Sequence, residues 1–244
     1  MRLQSCSLLA VLLLVIPLCE ATHFDFFYHV QQWPGSFCDT KQGCCFPADE
    51  TPAADFGIHG LWPNYAHCPR TGRCWPDSCN RTDHLDENLI KDLEGELRRN
   101  WGTLACKKPK PKTGMAFWAH EWSRHGTFSN MGQRAYFLAA LDFKARFNLT
   151  RILLDAGDRA VEREALPPEP LPGGREEGDG VGAKLECNQN RWNEAQLYQV
   201  HQCVALDGET LVHCNGAADD EGCPGDSDMV KLPPLQLPRL WGTE

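Results

Sequence analysis

The feature that most limits how this chain can fold is its cysteine complement, carried behind an apolar leader. There are thirteen cysteines in 244 residues. Arg2, the short apolar run from Leu8 to Leu18 and then Cys19-Glu20-Ala21 read as a secretory signal peptide over residues 1–21, too short to span a bilayer. Cys6 and Cys19 leave with it, so eleven cysteines remain in residues 22–244. In an oxidising compartment these are expected to form disulfides, and an odd number leaves at least one thiol free, intermolecular or otherwise capped. Cys38 to Cys45 is a tight loop whose spacing suits a local bond, most simply Cys38–Cys44. The sequons at Asn80 and Asn148 fit glycosylation on the same route. No later stretch is long and apolar enough to cross a membrane.

Charge narrows the partners. The net charge is −9 and the pI near 5.5, and loss of the leader removes Arg2 and Glu20 together, which leaves the balance unchanged. There is no basic field to hold a polyanion, so a nucleic acid would be a transient substrate gripped at a few points.

Phe24, Phe26, Tyr28 and Val30 alternate with Asp25, His29 and Gln31, the pattern of a half-buried strand. Phe56 to Pro63 is a second short strand between glycines, with His59 on the side opposite Ile58. Residues 66–82 form a loop rich in cysteine and proline. Leu89, Ile90, Leu93 and Leu97 mark an amphipathic helix closed by Arg98 and Arg99. The basic segment 107–112 reads as a proline-broken, solvated connector. Gln133 to Phe147 is a further helix, and a short one starts with Thr150 as N-cap and stops at Gly157. Residues 166–182 are a variable loop rich in proline, glycine and acid, and 233–244 a proline-rich tail, with Met229 to Leu232 a possible last strand. Leu197 to Leu206 is a strand, and a four-residue turn over 207–210 pairs Leu206 with Leu211, setting Cys203 across from Cys214 as a disulfide. No repeat or second domain is visible.

The chemistry concentrates in FWAHEWSRHGTFS, Phe117 to Ser129. On a helix, His120 and Arg124 share one face and Glu121 and His125 the next, an arc of roughly 140°. Two imidazoles, a carboxylate and a guanidinium on one arc suit acid/base work on an anion. A zinc pair needs histidines four apart, and these are five apart. A merely solvated face is hard to reconcile with Phe117, Trp118 and Trp122 around it. His59, with glycine at one residue's remove on both sides, is either a structural histidine or one open to a ligand.

FGIHGLWPNY and FWAHEWSRHGTFS together, in this order, resemble the two active-site segments of the ribonuclease T2 family of secreted acid ribonucleases, most closely the S-like enzymes of plants. The likeness extends to VQQWPGSFCDTKQGCC, NWGTLAC and the CNQ…LYQVHQCV hairpin, over residues 24 to about 232. It implies a single disulfide-stabilised α+β domain, a central antiparallel sheet carrying His59 and flanked by helices. It also implies cleavage of single-stranded RNA through a 2′,3′-cyclic phosphate, with no cofactor, no metal, no DNA substrate and a monomeric state, in the extracellular space or vacuole. By the resemblance His59 is the general acid and His125 the general base, with His120, Glu121 and Arg124 on the phosphate. Two imidazoles in opposite protonation states suffice for such a step near neutrality or below. Gln32, Trp62 and Phe117 are placed either to contact bases or to pack in the core. The resemblance further pairs Cys45 with Cys106 and Cys187 with Cys223, leaving Cys68, Cys74 and Cys79 as a triplet that cannot all pair.

Four positions depart from the family. Arg124 stands for a lysine, Phe128 for a cysteine bonded to the one matching Cys79, residues 166–182 for a partly helical region, and Asn64 for a base-contacting aspartate of some members. The first two motivate a second reading, a catalytically weak or inactive storage or defence protein on the same fold. The missing bond predicts a less firmly anchored active-site helix.

Overall fold

The computed structural model describes residues 23–47, 50–68, 73–76, 83–107, 110–111, 113–155, 183–214, 223 and 231–235. The leader, Cys79, Asn80, Gly157, the 166–182 loop, Met229 and most of the tail lie outside them.

Four strands form one antiparallel sheet in the order β2-β1-β6-β5: β1 is Phe26–Gln32, β2 Gly57–Asn64, β5 Lys184–Gln189 and β6 Ala195–Val204. Helices cover one face, giving the expected α+β domain. Being central, β1 is buried along its whole length, not on alternate residues as its pattern suggests. Phe26, Tyr28 and Val30 pack with Cys203, Trp62 and Val212 on one face, while Phe27 joins the helical core on the other. The polar residues of that second face are partnered inside through one atom each: His29 Nε2 donates to the Ala140 carbonyl at 3.0 Å and Gln31 Nε2 to Gln202 Oε1 at 3.0 Å, while His29 Nδ1 and Gln31 Oε1 are buried with no hydrogen-bond partner among the described residues.

The helical layer follows the apolar spacing, with local departures. The expected single helix over 89–97 is three pieces: α2 (Glu87–Ile90), a 3₁₀ turn (Lys91–Leu93) and α3 (Glu94–Asn100). Asp86 caps its start by accepting from Asn88 N at 2.9 Å. Ile90, Leu93 and Leu97 turn inward, whereas Leu89 is exposed. After the short ribbon of β3 (Cys106–Lys107) and β4 (Lys110–Pro111), which replaces the expected connector, come α4 (Gly114–Arg124), α5 (Gln133–Arg146) and α6 (Leu149–Asp155). A further short helix, α1 (Pro34–Cys38), follows β1. The cap of α6 is Asn148, whose Oδ1 accepts from Arg151 N at 2.9 Å. Thr150 is engaged elsewhere: its hydroxyl donates to Asp55 and accepts from Phe56 N at 3.0 Å.

Disulfides Cys38–Cys44, Cys187–Cys223 and Cys203–Cys214 form as expected, and Cys68 pairs with Cys74. Cys45 is also bonded, and its N–H donates to the Leu104 carbonyl at 3.1 Å, beside its expected partner Cys106, whose side chain lies outside the described residues. Register around Cys203 differs from the sequence reading: Val204, not Leu206, opposes Leu211. Asp207 Oδ1 accepts from the N–H groups of Glu209 and Thr210 at 2.8 and 2.9 Å, and this side-chain turn closes on Ala205 N to Thr210 O at 2.8 Å. The loop is therefore six residues long, and Cys214 bonds Cys203 from two residues beyond the directly opposed position.

Burial holds the His29 imidazole down at about 3, against the charge-favouring hydrogen bond to Ala140 and with the Lys144 charge adding to the depression. The folded pKa lies below the unfolded one, so this contribution to stability is complete above pH 6.5 and is lost as pH falls from there towards 3. Chemical denaturation with disulfides intact is expected to show wild-type stability falling across that window, and a His29→Gln variant a flatter profile. Parallel profiles for the two proteins would refute the assignment.

Candidate active site

His59 owes its position to an extra residue in β2. On β1, Val30 opposes Gly60 and Gln31 opposes Ile58, so His59 has no partner and the ladder is bulged there. A bulge re-aims side chains. Ile58 and Leu61, three apart, both enter the helical core, and His59 is presented to the opposite face of the sheet. Two hydrogen bonds pin the bulged strand to the helices behind it: Trp101 Nε1 donates to the His59 carbonyl and Tyr136 Oη to the Leu61 carbonyl, each at 2.9 Å.

Helix α4 is equally fixed. Thr113 caps its start by accepting from Ala116 N at 3.2 Å. Trp118 and Trp122 are buried and donate to the carbonyls of Trp101 at 2.8 Å and Asp83 at 3.1 Å. The helix closes at Arg124, one residue short of the sequence reading. His125 is its C-cap, with φ −130° and ψ −46°, and its N–H still donates to the Glu121 carbonyl at 2.9 Å.

These two elements meet at Trp62. Its Nε1 donates at 2.9 Å to Glu121 Oε2, a side chain only 2% exposed. Its ring stacks on His125, centroids 5.1 Å apart, and meets the His59 ring edge-on at 4.9 Å. One indole therefore supports both histidines and the carboxylate. Gly60 makes room for this: a Cβ there would collide with Trp62 Nε1 and with Glu121 Oε2.

Desolvation is the main reason the His59 imidazole lies at about 4; the neighbouring His201 and, more weakly, His120 push the same way, while Glu186 and a hydrogen bond with Gln199 oppose. Burial, reinforced by the Glu121 charge, drives the Tyr136 phenol well above its ordinary range, so it stays a neutral donor. Beside the histidines opens a cleft of about 220 Å³ lined by Tyr28, Trp62, Trp75, Arg124, His125, Lys184 and His201 among others.

The expected residues thus sort by depth. Glu121 is buried, His59, Arg124 and His125 are half-buried, and His120 is exposed. Phe117 lies 5.9 Å from the His59 ring and also packs against the core. Gln32 is apart from the main cleft, in a smaller one with Asn100, Arg98 and Thr103. Sequence reasoning passed over Glu186, Gln199 and His201. The only signal was the period-2 spacing of Gln199 and His201 on one face of a strand already identified.

A model of the Ribonuclease T2 family matches residues 24–214. Intracellular ribonuclease LX of Solanum lycopersicum is 41% identical over 208 residues, 85% of this chain and 84% of that protein. Extracellular ribonuclease LE of the same plant is 40% identical over 222 residues, 88% of this chain and 93% of that protein. The crystal structure of RNase NT in complex with 5′-AMP superposes with a TM-score of 0.72 at 38% identity, covering 88% of this chain and all of that one.

Gly60→Ala is expected to break the Trp62–Glu121 hydrogen bond and to lower stability by about 1–3 kcal/mol, the usual cost of forcing atoms into a packed site. Thermal denaturation measures this; a melting temperature equal to wild type would mean the indole and carboxylate can part freely.

Proposed function

The chain belongs to the Ribonuclease T2 family, metal-independent endoribonucleases, and from that premise we propose that it cleaves single-stranded RNA by attack of the 2′-hydroxyl on the adjacent phosphodiester. The observation that carries this reading is the meeting of His59, Glu121 and His125 on one indole. In the proposed step His125 takes the 2′-hydroxyl proton as O2′ bonds to phosphorus. The P–O5′ bond breaks, and His59 in its charged form gives its Nε2 proton to the departing oxygen. The products are a 2′,3′-cyclic phosphate and a free 5′-hydroxyl.

Arg124 supplies a fixed planar donor set for the phosphate oxygens as negative charge accumulates, with His120 at the exposed rim and Glu121 fixing Trp62 and offsetting local positive charge. A free-protein pKa of about 4 for the acid means that His59 is loaded under acidic conditions, and a bound phosphodiester anion raises that value. Phe117 beside His59, the cleft-lining surface of Trp62 and the separate Gln32 cleft are the proposed contacts for bases. We read the location as extracellular or vacuolar after removal of residues 1–21, consistent with the disulfides, with glycans on Asn80 and Asn148, a monomeric state and no action on DNA.

Purified protein is expected to cleave RNA in EDTA with an acidic optimum and to leave DNA, which lacks the attacking hydroxyl, intact. His59→Phe and His125→Phe should each reduce turnover roughly 10²–10⁴-fold, the range for loss of an acid or base, with unchanged circular dichroism. Loss of activity on chelation, or equal cleavage of DNA, would overturn the mechanism. Absence of turnover at every pH would favour the non-catalytic storage or defence reading.

A further inference from the structure

Behind His59, on the side away from α4, three polar side chains form a chain of contacts that the proposed reaction does not use. His201 Nε2 lies 3.0 Å from Glu186 Oε2 and 3.2 Å from Gln199 Oε1, and Gln199 Nε2 lies 2.7 Å from His59 Nδ1. Gln199 and His201 are buried. They reach His59 across β1, because Gln199 opposes Gln32 and His201 opposes Val30 on one side of that strand while Gly60 opposes Val30 on the other.

Hydrogen-bond chemistry gives this chain a direction. An ionised carboxylate only accepts, so His201 Nε2 carries a hydrogen. That N–H also faces Gln199, whose side-chain oxygen must then be the end turned towards it. The amide nitrogen of Gln199 is left pointing at His59 Nδ1, where it can only donate. We infer that Gln199 is a positioning residue which, gripped by His201 and Glu186, donates to His59 Nδ1 and confines the hydrogen of the neutral ring to Nε2.

A consequence follows for charging the ring. The charged imidazole carries hydrogen on both nitrogens, so Nδ1 then needs an acceptor. Gln199 can supply one only by reversing its amide, which withdraws Oε1 from His201 and turns its NH₂ against the His201 N–H. A Gln199 accepting from Nδ1–H would favour the charged ring; held as a donor by His201 and Glu186, it instead opposes protonation of His59 in the free protein, in the same direction as burial. The other titratable groups facing the ring are Glu186 from β5, which favours its charge, and His120 from α4, which disfavours it. Tyr198, which also hydrogen-bonds the Gln199 side chain, is raised by burial to about 12 and stays neutral. The effect on proton delivery rests on the reading of His59 as the acid; the tautomer does not.

The test is ¹⁵N–¹H NMR of the histidines in the full-length folded protein. Wild-type His59 is expected as the Nε2–H tautomer at neutral pH, and Gln199→Leu should lose that preference. Gln199→Glu, which gives Nδ1–H an acceptor, should move the His59 titration midpoint up by about one pH unit or more. His201→Phe, which removes both the grip on Oε1 and a repelling neighbour, should move it the same way and serves if Gln199 variants do not fold. Wild-type His59 with its hydrogen on Nδ1, or a Gln199→Glu midpoint equal to wild type, would overturn the inference. The pH profile of kcat/KM on RNA should shift with the NMR midpoint. If the midpoint moves and the profile does not, His59 is not the acid, while the hold of Gln199 on it stands.

Discussion

His59 is held by its backbone. The bulge in β2 leaves the His59 carbonyl without a ladder partner in the β1 register, and Trp101 Nε1 takes it up at 2.9 Å. A buried carbonyl without a donor costs about 1–3 kcal/mol, so this bond fixes both the bulge and the indole that meets it. Trp101, fully buried, in turn offers its own carbonyl to Trp118 of α4. The strand bearing one histidine and the helix preceding the other are thus two bonds apart through a single tryptophan. Removing the extra residue from β2 would slip one end of the strand by a residue and turn its side chains to the wrong face.

The same economy recurs around the site. Trp62, Trp101, Trp118 and Trp122 each join elements distant in sequence through an N–H, which is how a large apolar ring tolerates burial while keeping its polar end satisfied. Neutral donors suit this setting. The Glu121 carboxylate is almost wholly buried, and an indole N–H stabilises it at a fixed angle without adding a charge beside the histidines. The net positive character of the cleft then comes from Arg124, Lys184 and whichever imidazoles are protonated, so the field that a phosphate meets depends on pH.

The site was more legible in the sequence than the fold around it. His120, Glu121, Arg124 and His125 stand in one short segment whose residue types suggest acid/base work on an anion, whereas His59 was joined to them by the family resemblance; Cys38–Cys44 and Cys203–Cys214 followed from spacing, Cys187–Cys223 from the resemblance. What escaped were features decided by tertiary context. The alternation in β1 reads as half-exposed because polar residues usually face water, yet His29 and Gln31 are buried on partners 111 and 171 residues away. The register at Cys203 was shifted by the Asp207 side chain, and Asn148 rather than Thr150 caps α6 because Asp55 claims the threonine hydroxyl. Gln199, His201 and Glu186 were passed over for a related reason: an amide or histidine in a strand carries no local sign of the group it will meet across the sheet.

Phe128 shows how a missing covalent bond is accommodated. Where the family resemblance calls for a cysteine, the side chain is a phenylalanine 3% exposed, in a 3₁₀ turn immediately after His125. The neighbouring segment is nevertheless tied to the end of α4 and the start of α5. Trp122 Nε1 donates to the Asp83 carbonyl, Gln133 Nε2 donates to Asp83 Oδ1 at 3.1 Å and to the His84 carbonyl at 3.0 Å, and Gln133 Oε1 accepts from Asp86 N at 2.7 Å. A disulfide acts largely on the unfolded chain by restricting it, whereas these bonds and the buried ring act on the folded state. The sequence-based expectation of a loosened helix weighs the lost bond alone; the three hydrogen bonds of the Gln133 side chain to the 83–86 segment are a further tie to set against it.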